Sequence, residues 1–331
     1  MVKAPFGWGI VGTGEIAADM AKAIKDESSR LVAAVGTSIH KAQDFANAHG
    51  VERAYETLDQ LLADADVDIV YIATPHVSHY EIMKAALEAD KHVLVEKSIT
   101  VNLAQLDECI ELATQRELVI CDGTTLLHMP LFRELRELID GGDLGKVVMI
   151  QVNFGSAKTF DPQGRLFNPD KAGGALLDIG VYALSFVRWF MSSTPDLVLS
   201  SAALGSSGVD ETSGIVLRNS SGEMGVVSLT FQAKQPKRGV VSGTKGYLEV
   251  PDYPRADQAT FVHTASGHVR EIRAGDSAKA LQYEVVDMER YIRESAVGDT
   301  SAAEDNLAIV RDVMELMTSL RTDWNLVYPG E

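Results

Sequence analysis

Near the start of this 331-residue chain, the segment GIVGTGEIA places Gly12-x-Gly14-x-x-Ala17 directly after an apolar run. That spacing suits a backbone cradle for a pyrophosphate. Gly12 permits a tight turn, Gly14 lets the main chain approach an anion with no Cβ in the way, and Ala17 keeps the following helix close to the sheet. Backbone N–H groups of the turn and helix head, from Thr13, Gly14, Glu15 and Ile16, would then face the phosphates. Further along, Asp178 and Tyr182 are four residues apart and share one face of a regular helix. Gly173-Gly174 precedes them and Gly180 lies between them. A glycine inside a helix costs stability, so Gly180 implies either the close approach of a ligand or tight packing of the helix on its neighbour.

The segment Val35-Gly36-Thr37-Ser38-Ile39-His40-Lys41 decides which dinucleotide the turn would take. An acidic residue after the second strand binds the ribose 2′-hydroxyl, whereas hydroxyls and cations accommodate a 2′-phosphate. No Asp or Glu is present. The segment therefore leans towards NADP(H) over NAD(H), with Thr37 and Ser38, joined by His40 and Lys41, near the phosphate. Tyr80-x-x-x-Lys84 has the spacing of a catalytic pair in short-chain dehydrogenases, but it falls too early in the chain and with the wrong glycine spacing. It is read as a surface lysine beside a half-buried tyrosine. The histidines show no HxH or HxxxH spacing, so no metal site is expected.

These residues need elements to hold them. Strands are expected at Phe6–Val11, Leu31–Gly36, Asp68–Ala73, His92–Glu96 and Leu118–Asp122, alternating with helices at Gly14–Lys25, His40–His49, Leu58–Ala63, Ser78–Glu88 and Val101–Gln115. That alternation implies βαβ units and a doubly wound parallel sheet, an α/β Rossmann domain over 1–122. From 123 to 331 the pattern changes to period-2 segments with helices at Leu131–Ile139, Gly174–Met191, Leu281–Ser295 and Glu304–Arg321. This part reads as an α+β substrate-binding domain on a large, mostly antiparallel open sheet. Asn219-Ser220-Ser221-Gly222 reads as a hairpin turn.

A net charge of −17 excludes an extended nucleic-acid surface. No apolar run reaches the ~20 residues of a spanning helix, and MVKAPFGWGIVG lacks the signature of a signal peptide. Two cysteines, Cys109 and Cys121, fit a reducing compartment. The expectation is a cytoplasmic protein with no membrane or nucleic-acid partner.

VDIVYIATPHVSHYE, KHVLVEKSIT and RLFNPDKAGGALLDIGVYAL together resemble the glucose–fructose oxidoreductase/inositol dehydrogenase family (Gfo/Idh/MocA). The resemblance is strongest over residues 7–190. It implies an NAD(P)-dependent oxidoreductase with its cofactor across the strand ends and its substrate pocket between the domains. It also puts Ala73, Thr74, Pro75 and His79 beside the dinucleotide and Glu96-Lys97 at the family's Glu-Lys-Pro position. Ser98 replaces the family proline. A cis bond before serine costs ~3 kcal/mol, so the backbone after Lys97 is expected to depart from the family's course. Asp90 stands where the family usually has glycine, which a left-handed helix terminus tolerates.

With Tyr182 the chain resembles the tyrosine-containing branch, which includes glucose–fructose oxidoreductase and the dimeric dihydrodiol dehydrogenases. Hydride transfer at nicotinamide C4 needs a group that moves a proton to or from the substrate oxygen. A tyrosine, with an ordinary pKa of ~10, does this once a nearby cation lowers it. The expected assignment is Tyr182 as acid/base, Lys97 as its electrostatic partner and Asp178 orienting substrate hydroxyls or Lys97. His76, His128, Phe154 and Arg165 are further candidates for substrate contact. The competing reading is a non-catalytic NAD(P)-binding regulator. The late sheet, with Val226, Leu229 and Phe231, is expected to pair two or more copies of the chain, and the substrate is expected to be small and polar.

Overall fold

In the computed structural model, which describes residues 5–329 and 331, the chain forms two compact units. The first comprises Met1–Gly123 and Leu281–Arg311. Its strands are β1 (Gly7–Val11), β2 (Arg30–Val35), β3 (Arg53–Tyr55), β4 (Ile69–Ile72), β5 (His92–Val95) and β6 (Ile120–Asp122). All pair in parallel, in the order β3-β2-β1-β4-β5-β6. The order reverses between β1 and β4, which is where open α/β sheets open a crevice at their carboxyl ends. The intervening helices are α1 (Glu15–Asp26), α2 (Ile39–His49), α3 (Leu58–Leu62), α4 (His79–Glu88) and α5 (Leu103–Gln115).

Local sequence explains these elements. Helix α1 buries Ala17, Met20, Ala21 and Ile24 on one stripe, the spacing of an amphipathic helix on a sheet. Helix α2 is capped by the Ser38 side chain and stops at Gly50 in the left-handed region. Helix α3 opens with a Thr57/Gln60 capping box. Asp90 has φ +58°, the left-handed conformation read from its position after α4. The three-residue β3 had no apolar run to announce it.

The second unit comprises Thr124–Ala280 and Asp312–Glu331. After helix α6 (Pro130–Asp140) come β7 (Val147–Gly155), a π-helical turn over Leu176–Gly180 continuing into α7 (Val181–Phe190), β8 (Leu197–Leu204), β9 (Asp210–Arg218), β10 (Met224–Thr230), β11 (Arg238–Gly243), β12 (Gly246–Pro251), β13 (Gln258–His263) and β14 (Val269–Arg273). The eight strands lie in the order β14-β13-β12-β11-β7-β10-β9-β8, antiparallel except for the parallel pair β7–β10. Phe186 and Phe190 of α7 meet Phe132 of α6 on the buried face. Leu229 and Phe231, expected on an exposed face, are instead almost fully buried, and Val226 is half-buried. Strand alternation is the reason: Val227 and Leu229 share the core side, while Val226 and Ser228 share the other.

Helices α8 (Ala280–Ser295) and α9 (Ser301–Asp323) close the chain. The reading of 123–331 as one continuous domain does not account for α8, which returns to the first unit. Its Leu281, Val285, Met288 and Ile292 recur at helical spacing and join Phe6, Trp8, Met20, Ile24 and Cys121 in one core. The Trp8 indole N–H donates to Glu289 Oε1 at 3.2 Å, so the contact is polar as well as apolar. Among the described residues no helix is long and apolar enough to cross a membrane.

Candidate active site

In the first unit the candidate cofactor residues gather at the carboxyl ends of β1, β4 and β5. Gly12 has φ +109°, and a Cβ there would lie 2.5 Å from the Ala73 carbonyl oxygen. Glycine is thus required where the turn after β1 presses on the end of β4. Its N–H donates to Val35 O at 2.9 Å, tying the turn to β2 as well. Gly14 is the N-cap of α1 and has no side-chain capping bond. A Cβ at Gly14 would meet no protein atom within 4 Å, so the side facing the helix N-terminus is open. Ala17 is fully buried under the helix. Open space beside uncapped amides fits a dinucleotide pyrophosphate. Thr13, Glu15 and Ile16 surround the turn, with Glu15 exposed and the others half-buried.

Thr37 and Ser38 are exposed after β2. The Ser38 oxygen accepts the Lys41 N–H at 3.4 Å, so its structural work is to cap α2. Its hydroxyl proton is not consumed by that bond.

The loops after β4 and β5 are braced by His79. One ring nitrogen faces the Thr74 carbonyl at 2.8 Å and the other the Ser98 carbonyl at 2.9 Å. His79 has no exposed surface, so its ring is not open to a dinucleotide as expected; it braces the two loops from inside. Burial lowers its pKa, partly offset by the backbone bonds. Ser78 Oγ donates to Thr74 Oγ1 at 2.8 Å, and Ala73 and Thr74 remain half-buried with Pro75 exposed. His76 Nε2 lies 3.1 Å from Lys97 O, which makes it part of the same loop brace. Tyr71 donates its hydroxyl to Glu96 Oε1 at 2.6 Å, fixing the residue before Lys97. Lys97 is half-buried. The Lys97–Ser98 peptide is cis although the second residue is not proline, so the departure expected from the cost of such a bond is overturned.

In the second unit, the segment carrying Asp178 and Tyr182 is not regular α-helix. The Val181 N–H reaches Leu176 O across a π turn, which alters the i, i+4 geometry assumed for Asp178 and Tyr182. Arg165 Nη1 pairs with Asp178 Oδ1 at 3.3 Å, bringing two candidates together as an ion pair. Tyr182 is half-buried with its ring 6.4 Å from that of Phe154. Phe154 in turn meets Tyr253 edge-on at 6.3 Å. Gly180 resolves towards packing, because a Cβ there would stand 2.8 Å from Leu229 Cδ1. His128 has no exposed surface, so the proposed substrate contact is not available to it.

Three features escaped the sequence reading. Asp210 is buried, accepts the Leu176 N–H at 2.7 Å and packs against Gly174, whose φ is +123°. Burial pushes its carboxyl up to about 7. Lys237 Nζ lies 5.0 Å over the Phe154 ring, on the tyrosine's aromatic neighbour. A lone acid at a strand start and a lysine in a turn offer no spacing to find them by. The third, the return of α8, was legible as an apolar stripe. The Tyr80/Lys84 pair is engaged elsewhere, with both side chains on Glu108.

A doubly wound parallel unit with an open glycine turn after its first strand, followed in sequence by a unit on an open sheet, has the build of a dinucleotide-binding fold with an added domain. A sequence profile described as "Oxidoreductase family, NAD-binding Rossmann fold" matches residues 6–123, and one for the GFO/IDH/MocA C-terminal domain matches residues 132–249. The trans-1,2-dihydrobenzene-1,2-diol dehydrogenase of Xenopus laevis is 32% identical over 260 residues, covering 77% of this chain and 78% of its own. The D-xylose 1-dehydrogenase (NADP(+)) of Hypocrea jecorina is 34% identical over 281 residues, covering 73% and 71%. A solved 3-ketoreductase from Actinomadura kijaniata, in complex with NADP and TDP-benzene, has a TM-score of 0.82 at 21% identity over 96% and 97% of the chains. The chain belongs to the GFO/IDH/MocA oxidoreductase family and is an NAD(P)-dependent dehydrogenase or reductase.

Proposed function

We propose that this enzyme prefers NADP(H) and interconverts a hydroxyl and a carbonyl on a sugar, cyclitol, dihydrodiol or related small polar substrate. The nicotinamide, when bound, gives or takes the hydride. Tyr182 gives or takes the proton at the substrate oxygen, and the Lys97 ammonium favours its ionised form and steadies negative charge on that oxygen. Asp178, held by Arg165, orients substrate hydroxyls. Gly12, Gly14 and the amides from Thr13 to Ile16 hold the pyrophosphate, with Thr37 and Ser38 at the 2′-phosphate.

The observation that carries this reading is the half-buried Tyr182 beside Phe154, at the head of a helix whose start is fixed by the Asp210–Leu176 bond. A ring flanked by an aromatic face can dock a polar carbon skeleton while its hydroxyl stays available for proton transfer. The names of the relatives, a dihydrodiol dehydrogenase and an NADP(+)-dependent xylose dehydrogenase, support the substrate class and the cofactor.

The test is Tyr182→Phe assayed across sugars, diols and dicarbonyls with NADPH and NADP+, with cofactor affinity followed by nicotinamide fluorescence. The expected result is intact cofactor binding with kcat lowered by about 10²–10⁴-fold. Turnover kept within a few-fold would remove Tyr182 from the proton-transfer role. Tight cofactor binding with no turnover by the wild type on any of these substrates would favour a regulator.

The half-buried Val226, Ser228 and Val240 line a groove of about 270 Å³ on the face of the sheet away from α7. We take this face to pair two copies of the chain, and light scattering giving a clean monomer would refute the pairing.

A further inference from the structure

The sheet of the second unit gathers cations at one end. Strands β7 and β10 run parallel and finish together at Gly155 and Thr230. Strand β11 starts at Arg238 opposite Asn153, and β12 finishes at Pro251 opposite Arg238. The segments after β7, after β10, before β11 and after β12 therefore all leave the sheet at the same end. They carry Lys158, Lys234, Lys237 and Arg255 in that order. Backbone bonds tie the segment after β7 to the β10–β11 connection: Lys158 N–H donates to Phe231 O at 2.8 Å, and Gln235 N–H donates to Gly155 O at 3.1 Å.

Lys237 is the member that faces the candidate site. Its ammonium lies 5.0 Å over the Phe154 ring, and the same ring has Tyr182 as a neighbour at 6.4 Å. Burial lowers the Lys237 pKa, and the charges of Lys234, Arg255 and Lys158 push the same way, with Asp252 opposing. None of the four cations forms an ion pair among the described residues. Lys158, Lys234 and Arg255 are exposed and solvated, so the repulsion bears on the half-buried Lys237, whose charge an anion arriving from solution would offset.

We infer that this end of the sheet, led by Lys237, is an anion-binding subsite and that the preferred substrate carries a carboxylate or phosphate in addition to its reacting hydroxyl or carbonyl. The inference rests on the reading of Tyr182 as the group that handles the substrate oxygen. It narrows the substrate class from polar to acidic. A neutral sugar would leave the half-buried Lys237 charge with the Phe154 ring and Asp252 to offset its desolvation. An acid group within reach would recover both the desolvation and the repulsion.

The experiment measures kcat/KM of the NADP+-loaded enzyme for D-glucose against D-glucuronate and against the corresponding hexose phosphate. The two acids separate a carboxylate from a phosphate preference. At low ionic strength at least one acid should exceed the neutral sugar by about tenfold or more, and its KM should rise as salt goes from about 10 mM to about 300 mM. Lys237→Met keeps an apolar stem on Phe154 and removes the charge; the acid-to-neutral ratio should fall about tenfold. Lys237→Arg should restore most of it. The inference is overturned if neither acid binds or turns over better than the neutral sugar. It is equally overturned if the ratio is unmoved in the Met variant, or if that variant's loss appears in the KM for NADP+ instead. Failure of the tyrosine assignment looks different: Tyr182→Phe would then keep its turnover while the acid-to-neutral ratio still followed Lys237.

Discussion

Leu176 donates its backbone N–H to the buried carboxyl group of Asp210 at 2.7 Å, at the head of the π turn that contains Asp178 and leads into Tyr182. The start of the segment that carries Asp178 and Tyr182 is thus held by an acid whose carboxyl burial has pushed up to about 7. A folded-state value above the unfolded one means the native state holds this proton more tightly. Its contribution to stability is fully present below the unfolded value of ~3.9 and is lost as pH rises through the folded value. Asp210→Asn cannot titrate. Urea denaturation should show the variant gaining on the wild type by about 2 kcal/mol between about pH 5 and about pH 8. A difference that stays flat over that interval would refute the assignment.

Gly12 and Gly14 should behave differently when given a methyl group. At Gly12 a Cβ meets the Ala73 carbonyl and φ is positive, so Gly12→Ala should lower the stability of the first unit by about 1–3 kcal/mol. At Gly14 the added atom meets no protein atom. Gly14→Ala should therefore melt within about 1 kcal/mol of the wild type while NADPH titration shows about tenfold weaker binding. Equal cofactor affinity in wild type and Gly14→Ala would place the pyrophosphate elsewhere.

Thr37 is exposed at the end of β2 with no acid near it in sequence. Thr37→Asp would supply the carboxylate that ribose 2′-hydroxyls favour and that a 2′-phosphate repels. The NADPH-to-NADH affinity ratio should fall at least about tenfold, measured by nicotinamide fluorescence. An unchanged ratio would mean that the 2′-phosphate does not visit Thr37.

The strands and helices of the first unit were legible because each is a short apolar run bounded by caps and glycines, and parallel order follows from alternation with helices. Strands β3 and β14 were not, since Arg53-Ala54-Tyr55 is too short and Val269–Arg273 buries only Ile272. The glycine turn was legible because its function depends on residue type at fixed spacing. His79, at the head of α4, and His128, in a loop, were misplaced because a histidine at such a junction looks the same in sequence whether its ring is exposed or sealed. Lys237 and Asp210 owe their surroundings to strands distant in sequence, and no local pattern carries that information.

Met288 on α8 is fully buried in the core of the first unit. Met288→Ala should cost about 2–5 kcal/mol, the range for a large-to-small change in a packed core. The loss should appear in the transition that also releases NADPH protection. A neutral effect on that transition would show α8 to be dispensable to the unit.

The return of α8 also sets an order of events during synthesis. A chain emerging amino-terminus first presents β1 to β6 long before residues 281–311 leave the ribosome. Through that interval Phe6, Trp8 and Ile24 lack the partners that seal them. The dinucleotide-binding half is therefore a late finisher although it is encoded first, and a fragment ending at Gly123 would carry the glycine turn on an unsealed, sticky scaffold.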